Sequence, residues 1–259
     1  MPPEHERAIE QLRARYERDP NVLGLIVIGS VARGDAGARS DVDCVLVVTT
    51  EEWRRLEARS ALSFRADDVM PGGHVGGGIV ELVFLLDAAD RGPEPTRYAF
   101  SSARIVFTRD ERIAEVLTRI PVYQERERAE KMKSFVSQLP VHLSYLELGE
   151  YSGNAWLLAE TAVELVLFGG RLILAHNRIL FPNRKQFIRT LAAAAEKPDG
   201  IVDLAQDLMR APSIARAKLF YDAVMGFRDW PVPTEGHWAR FQLDRETNWR
   251  RGPTALADS

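Results

Sequence analysis

The chain has 259 residues, of which 46% are hydrophobic and 27% charged, as expected for a globular protein that buries a core. Its formal net charge of −3 gives no general attraction to nucleic acid. The single cysteine, Cys44, excludes an intramolecular disulfide, and its apolar surroundings indicate a buried thiol. The first residues are polar, so no signal peptide is predicted, and no run of about 18 apolar residues predicts a membrane span. A cytoplasmic location is therefore expected.

The first 120 residues alternate between strand patterns and helix patterns. Short apolar runs predict strands at residues 22–30, 41–49, 79–86 and 104–108. Apolar residues at helical spacing predict helices at residues 6–18, from 50 to about 60, and after residue 108. Residues 64–77, which are rich in glycine, are interpreted as a loop. This alternation predicts a mixed sheet with flanking helices.

The pattern changes after Pro121, where no further strand is predicted. Helices are predicted at residues 124–150, 154–177, 183–195, 200–210 and 213–228. Pro140 falls inside the first of these, where it predicts a kink. The fold class is therefore predicted to be α+β, with a mixed domain over residues 1–120 and a helical bundle over residues 121–259.

The most informative residues are two aspartates at the start of the second predicted strand. Asp41 and Asp43 are two positions apart, so their carboxylates lie on the same face of a strand. Two such charges repel unless a cation lies between them. Mg²⁺ prefers oxygen ligands and is usually held by one or two carboxylates together with substrate phosphates. The pair therefore predicts a magnesium site.

Residues that suit a phosphate lie just before this pair. Gly29 and Ser30 end the preceding strand; the glycine permits close approach of the backbone, and the serine hydroxyl and amide can donate hydrogen bonds. Arg39 can neutralise phosphate charge. Ser40 is included as a nucleotide-binding candidate, with a role in shaping the turn before Asp41 as the alternative.

A third acidic ligand is expected on a neighbouring strand, and Glu81 is the candidate. It is a lone charge within an otherwise apolar predicted strand. A buried carboxylate without a partner is costly, and a metal ion would serve as that partner. The alternatives are an exposed position on an edge strand or a pairing with arginine.

The segment GSVARGDAGARSDVDCVLVV resembles the signature of the polymerase-β-like nucleotidyltransferases, in the form found in small bacterial aminoglycoside and lincosamide nucleotidyltransferases. Glu81 matches the third acidic position of that pattern, although aspartate is commoner there. The resemblance implies transfer of a nucleoside monophosphate, AMP first among them, from ATP or another nucleoside triphosphate (NTP) to a hydroxyl. The expected acceptor is a small molecule, for instance an antibiotic, and Mg²⁺ and pyrophosphate release are implied.

The resemblance also directs attention to two kinds of residue in the predicted bundle. Related enzymes place a basic residue on the triphosphate, and Lys185, near the N-terminus of a helix predicted to start at Pro182, is the candidate. Related enzymes also take a general base from the bundle. Glu150, which precedes a helix break, is preferred for this role; the other available glutamates are Glu147, Glu160 and Glu164.

Three alternatives remain open from the sequence. The same chemistry could act on a hydroxyl of a protein instead of a small molecule. The fold could be kept without catalysis, in a nucleotide-binding or antitoxin-like partner protein. The chain could modify a nucleic-acid end, although its net acidity argues against a nucleic-acid partner.

Overall fold

A computed structural model describes residues 2–37, 40–70, 73–250 and 252. The chain forms two compact units, Met1–Val122 and Tyr123–Ser259. The strands of the first unit are β1 (Val22–Ile28), β2 (Val42–Val48), β3 (Ser63–Ala66), β4 (Val75–Glu81) and β5 (Arg104–Thr108). Its helices are α1 (Pro3–Tyr16), α2 (Gly29–Arg33), α3 (Thr50–Glu57), α4 (Leu82–Arg91), α5 (Glu94–Ala99) and α6 (Glu111–Arg119).

The strands form one mixed sheet in the order β3-β4-β2-β1-β5. β1 is antiparallel to β2 and β5, β2 is parallel to β4, and β3 is antiparallel to β4. One face packs Leu25 and Leu46 against Leu12 of α1, and the other packs Val45 against Leu85 of α4. Because both faces are covered, the two central strands read as continuous apolar runs in the sequence.

The third predicted strand differs from the observed one. β4 begins at Val75 and ends at Glu81, and Leu82 starts α4, so the predicted strand at 79–86 is wrong over its second half. Leu82, Leu85 and Ala88 are buried, which is the spacing of a helix face. The glycine-rich start of β4 was predicted as loop, but a Cβ at Gly77 would overlap the carbonyl oxygen of Cys44. Only glycine permits this pairing.

The second unit is helical, as predicted. Its helices are α7 (Glu125–Ser152), α8 (Ala155–His176), α9 (Phe187–Ala193), α10 (Ile201–Arg210), α11 (Ile214–Met225) and α12 (His237–Phe241), followed by a π-helical turn, Gln242–Glu246, and a 3₁₀ turn, Asn248–Arg250. α7 continues through Pro140. None of the described helices is long and apolar enough to cross a membrane.

A helical hairpin organises this unit. Gly153 ends α7 in the left-handed conformation, and the Asn154 side chain accepts a hydrogen bond from the Leu157 amide at the start of α8. The two long helices bury Leu139 and Leu165 in a core that Phe220 of α11 joins. The α+β architecture predicted from the sequence is therefore confirmed.

Candidate functional site

The end of β1 and the start of β2 bring two sequence motifs together. Their antiparallel register pairs Ile28 with Asp43, so the turn after β1 lies beside that carboxylate. Gly29 has a φ of 70°, and a Cβ added to it would overlap Oδ2 of Asp43 and lie 3.1 Å from its Cγ. Glycine is therefore required at residue 29 for two reasons, its backbone conformation and the closeness of Asp43.

Ser30 follows in the first turn of α2. Its carbonyl oxygen accepts a hydrogen bond of 3.1 Å from the Asp35 amide, which closes the turn after this short helix. Its hydroxyl makes no hydrogen bond within the described part of the chain. The first amides of a helix have no intrahelical acceptor, so this turn has donors to offer a ligand.

Ser40 shapes the approach to Asp41. Its hydroxyl accepts a hydrogen bond of 3.0 Å from the Gly37 amide, and its carbonyl oxygen accepts one of 2.7 Å from Nε2 of the fully buried His5. These contacts explain Ser40 as a structural residue, and its contact with a nucleotide stays a prediction. Arg39, the other residue predicted in this loop, lies outside the described residues.

Asp41 is held by a histidine that the sequence analysis did not single out. Its Oδ1 accepts a hydrogen bond of 3.1 Å from the backbone amide of His74 and lies 2.9 Å from Nδ1 of the same residue. The described residues offer no partner to Oδ2 of Asp41. The contact depends on how the loop before β4 packs, and no local pattern around His74 indicates it.

Glu81 does not join this pair, and the prediction that it shares a metal ion with Asp43 is wrong. The parallel register places Gly76 beside Asp43 and Glu81 beside Val48, five residues farther along β4. At about 3.3 Å per residue the separation along the strand is roughly 16 Å. Two side chains so far apart cannot both bind one Mg²⁺, whose ligands lie at about 2.1 Å.

The environment of Glu81 gives its charge a structural explanation. Its Oε2 accepts a hydrogen bond of 2.8 Å from the hydroxyl of Thr50, the first residue of α3. Glu81 also directly precedes α4, where a negative charge interacts favourably with the helix dipole. The Thr50 hydroxyl and the start of α4 thus give this carboxylate partners within the protein.

The donors left for a metal ion are Asp41 and Asp43. Among the described residues no group of three or more histidine, cysteine, aspartate or glutamate side chains is arranged to hold a metal. Two carboxylates nevertheless fit an ion that completes its shell with substrate phosphates and water, as Mg²⁺ usually does. Because Asp43 packs on Gly29, phosphates that approach the backbone at Gly29 would also lie near the Asp43 carboxylate.

Cys44 follows Asp43 in β2, and its thiol is buried, as expected. Burial, together with the nearby charge of Asp43, raises its pKa to about 12 against the opposing charge of Arg104. The thiol therefore stays protonated at neutral pH and is a core residue.

The residues predicted from the helical unit have separate surroundings. Lys185 is exposed in the turn before α9, which begins at Phe187, so the prediction of a helix starting at Pro182 is wrong. Oε2 of Glu150 accepts a hydrogen bond of 2.9 Å from the amide of Ile214, the first residue of α11. The functional roles of Lys185 and Glu150 stay predictions.

A partly buried polar cluster in the same unit contains another of the glutamates. Oε2 of Glu164 lies 3.3 Å from a guanidinium nitrogen of Arg245, in the π-helical turn, and 3.7 Å from Nε2 of His142. Burial raises the pKa of Glu164, and Arg245 opposes the change. Burial, reinforced by the charge of Arg245, lowers the pKa of His142 to about 4. His142 is therefore neutral at pH 7.

Comparisons with known proteins agree with the fold and with the site motif. The chain matches the model of the nucleotidyltransferase domain family over residues 6–168, more than half of its length. Fifteen chains of solved structures match, including a nucleotidyltransferase-like protein from Exiguobacterium sibiricum 255-15. Its TM-score is 0.51 at 12% identity, and the alignment covers 98% of this chain and 83% of that one, which shows a shared fold.

No curated protein sequence matches the chain. The family match includes the turn after β1, the paired aspartates of β2 and the sheet that positions them. The chain therefore belongs to the polymerase-β-like nucleotidyltransferase family.

Proposed function

We propose that this protein transfers a nucleoside monophosphate, with AMP as the first candidate, from an NTP to a hydroxyl group of a small molecule, releasing pyrophosphate. Members of this family generally use an NTP and a divalent metal ion. The observation that carries the proposal is the packing of Asp43 on Gly29, because it joins a carboxylate to a backbone segment that a phosphate can approach.

Asp43 and Oδ2 of Asp41 would hold the metal, for which Mg²⁺ is the best match. A bound ion would neutralise charge on the triphosphate and favour in-line attack at the α-phosphorus. The chain's own contribution is positioning: the hydroxyl of Ser30 and the first amides of α2 bind phosphate oxygens, and Arg39 adds positive charge. Lys185 is proposed as a further triphosphate contact.

The helical unit is proposed to select the acceptor, and the hydroxyl of that acceptor needs a general base. Glu150 was preferred from the sequence, but its Oε2 already accepts a hydrogen bond from the Ile214 amide. The raised pKa of Glu164 brings that carboxylate nearer the range in which a base works well. Glu164 is therefore proposed as a second candidate beside Glu150. An aminoglycoside or lincosamide antibiotic would be a suitable acceptor class.

One observation favours a second candidate function, a non-catalytic nucleotide-binding or antitoxin-like partner protein. The positions of β4 that lie beside Asp43 on its face of the sheet are Gly76 and Gly78, which contribute no third carboxylate. A site with two carboxylates can bind a metal–nucleotide complex and still lack the charge needed for efficient transfer.

The proposal is tested with NTPs radiolabelled at the α-phosphate, Mg²⁺, and a panel of aminoglycosides and lincosamides. Pyrophosphate release and label transfer are measured for wild type, for Asp43→Asn, and for Asp87→Asn, which changes a carboxylate on α4 that pairs with Arg91. Transfer by wild type and Asp87→Asn, but not by Asp43→Asn, supports the proposal. Nucleotide binding without transfer to any acceptor favours the second function, and lack of both contradicts the proposal.

A further inference from the structure

We infer that His74 is a positioning residue that fixes Asp41 for metal-dependent nucleotide binding. The inference rests on the proposed function, because it assigns Asp41 to the metal. It concerns a residue in the loop before β4, and neither the sequence motif nor the family match assigns a role to it.

The geometry joins both parts of His74 to one oxygen atom. The backbone amide donates to Oδ1 of Asp41 over 3.1 Å, and Nδ1 lies 2.9 Å from the same oxygen. The amide donates the hydrogen bond to Oδ1, and the imidazole nitrogen packs beside the same oxygen. Together they limit the orientations of the carboxylate and leave Oδ2 as the oxygen available to a metal ion.

His74 is itself fixed by the sheet. Its carbonyl oxygen accepts a hydrogen bond of 3.1 Å from the amide of Val42, at the point where β2 and β4 begin to pair. The preceding residue, Gly73, lies so close that an added Cβ would be 3.5 Å from Oδ1 of Asp41 and would overlap the side chain of Met70. The histidine thus approaches Asp41 from a defined backbone position.

Asp41 needs such support more than Asp43 does. Asp43 lies within β2 and packs against the backbone of Gly29, which limits its rotamers. Asp41 precedes the strand, and 45% of its side chain is exposed, against 29% for His74. An exposed carboxylate without a partner samples several rotamers and loses conformational entropy when it binds a ligand. The hydrogen bond from the His74 amide and the close contact with its imidazole reduce that loss before the metal arrives.

The test is a calorimetric titration with a non-hydrolysable ATP analogue, with and without Mg²⁺, replaced by GTP, CTP and UTP analogues in turn if ATP does not bind. His74→Ala is expected to weaken metal-dependent binding by roughly 10- to 100-fold, the usual effect of removing a residue that orients a metal ligand. His74→Asn keeps an N–H near the position of Nδ1 and is expected to restore most of the affinity. His237→Ala, a half-buried histidine of the helical unit, serves as the matched control.

A double variant separates positioning of Asp41 from a general structural role. If His74 acts through Asp41, adding His74→Ala to Asp41→Asn causes no further loss of affinity. Additive losses, wild-type affinity in His74→Ala, or an Asn variant as weak as the Ala variant would each overturn the inference while leaving the proposed function intact. Absence of metal-dependent binding by wild type would overturn the proposed function and this inference with it.

Discussion

Replacing Gly29 by alanine tests whether the turn after β1 and Asp43 form one unit. The added methyl group would meet two obstacles. The backbone at Gly29 has a φ of 70°, in the left-handed region, and the new Cβ would overlap Oδ2 of Asp43 and crowd its Cγ at 3.1 Å. Relief requires the carboxylate to leave the position in which it faces the phosphate-binding turn.

The structure supplies a control that separates these two costs. Gly34 ends α2 with a φ of 80°, but nothing lies within 4 Å of a Cβ added there. Gly34→Ala should therefore cost only the left-handed conformation, about 1–2 kcal/mol. Gly29→Ala adds the overlap with Asp43, for which overpacking typically costs about 1–3 kcal/mol. The total expected for Gly29→Ala is about 2–5 kcal/mol.

Urea unfolding of both variants and of the double variant Gly29→Ala/Asp43→Ala measures these costs. Gly29→Ala should unfold at a lower urea concentration than Gly34→Ala. Removing the Asp43 carboxylate from the Gly29→Ala protein should recover most of the difference, because the overlap with Oδ2 disappears and only the Cβ of residue 43, at 3.1 Å, stays close. Equal losses in the two glycine variants would refute the reasoning, since they would mean that Asp43 does not crowd residue 29.

Three further predictions follow from individual contacts. Glu81→Gln should cost about 1 kcal/mol through the weakened bond to Thr50 but leave metal-dependent nucleotide affinity unchanged in calorimetry, and a lost affinity would restore Glu81 as a ligand. Cys44, with its pKa raised to about 12, should resist a thiol reagent at neutral pH until urea unfolds the protein; rapid labelling of the native state would refute this. The pKa of His142 is lowered to about 4, so between about pH 6.5 and pH 4 the unfolded chain binds a proton at this residue that the folded protein does not. The free energy of unfolding therefore falls as the pH falls through this range, by up to roughly 3 kcal/mol. His142→Leu should remove that loss in denaturation curves at the two ends of this range, and an equal loss in both proteins would contradict it.

The structural features that the sequence predicts correctly are those that depend on a local pattern of residues. β1 and β2 are short, continuous apolar runs, and the two long helices extend over enough residues for their apolar positions to define them. The Gly29–Ser30 turn and the Asp41–Asp43 pair lie in one short segment, so the order of the chain alone places them near each other.

The failure at Glu81 has a tertiary cause. To predict a third acid beside Asp43, one must know at which residue β4 begins and its register with β2, and the local sequence pattern indicates neither. The glycines at 76–78 indicate a loop by composition, whereas Gly77 is in a strand because the Cys44 carbonyl oxygen leaves no room for a side chain. Sequence reasoning could not anticipate that approach.

The two polar contacts that were missed are also tertiary. His74 meets Asp41, and His142 meets Glu164, across 33 and 22 residues of chain respectively, and each pair comes from different elements or loops. A lone histidine has no spacing that indicates a partner at such a distance. Only the packing of the loop before β4, and of α7 on α8, reveals these contacts.

The central claim is that Asp43, packed on Gly29, holds a metal–nucleotide complex. Its most direct test is calorimetric titration of wild type and Asp43→Asn with non-hydrolysable NTP analogues, with and without Mg²⁺. The account predicts that wild type binds an analogue only when Mg²⁺ is present and that Asp43→Asn abolishes this binding. Binding that does not depend on Mg²⁺, or that survives in Asp43→Asn, would contradict it.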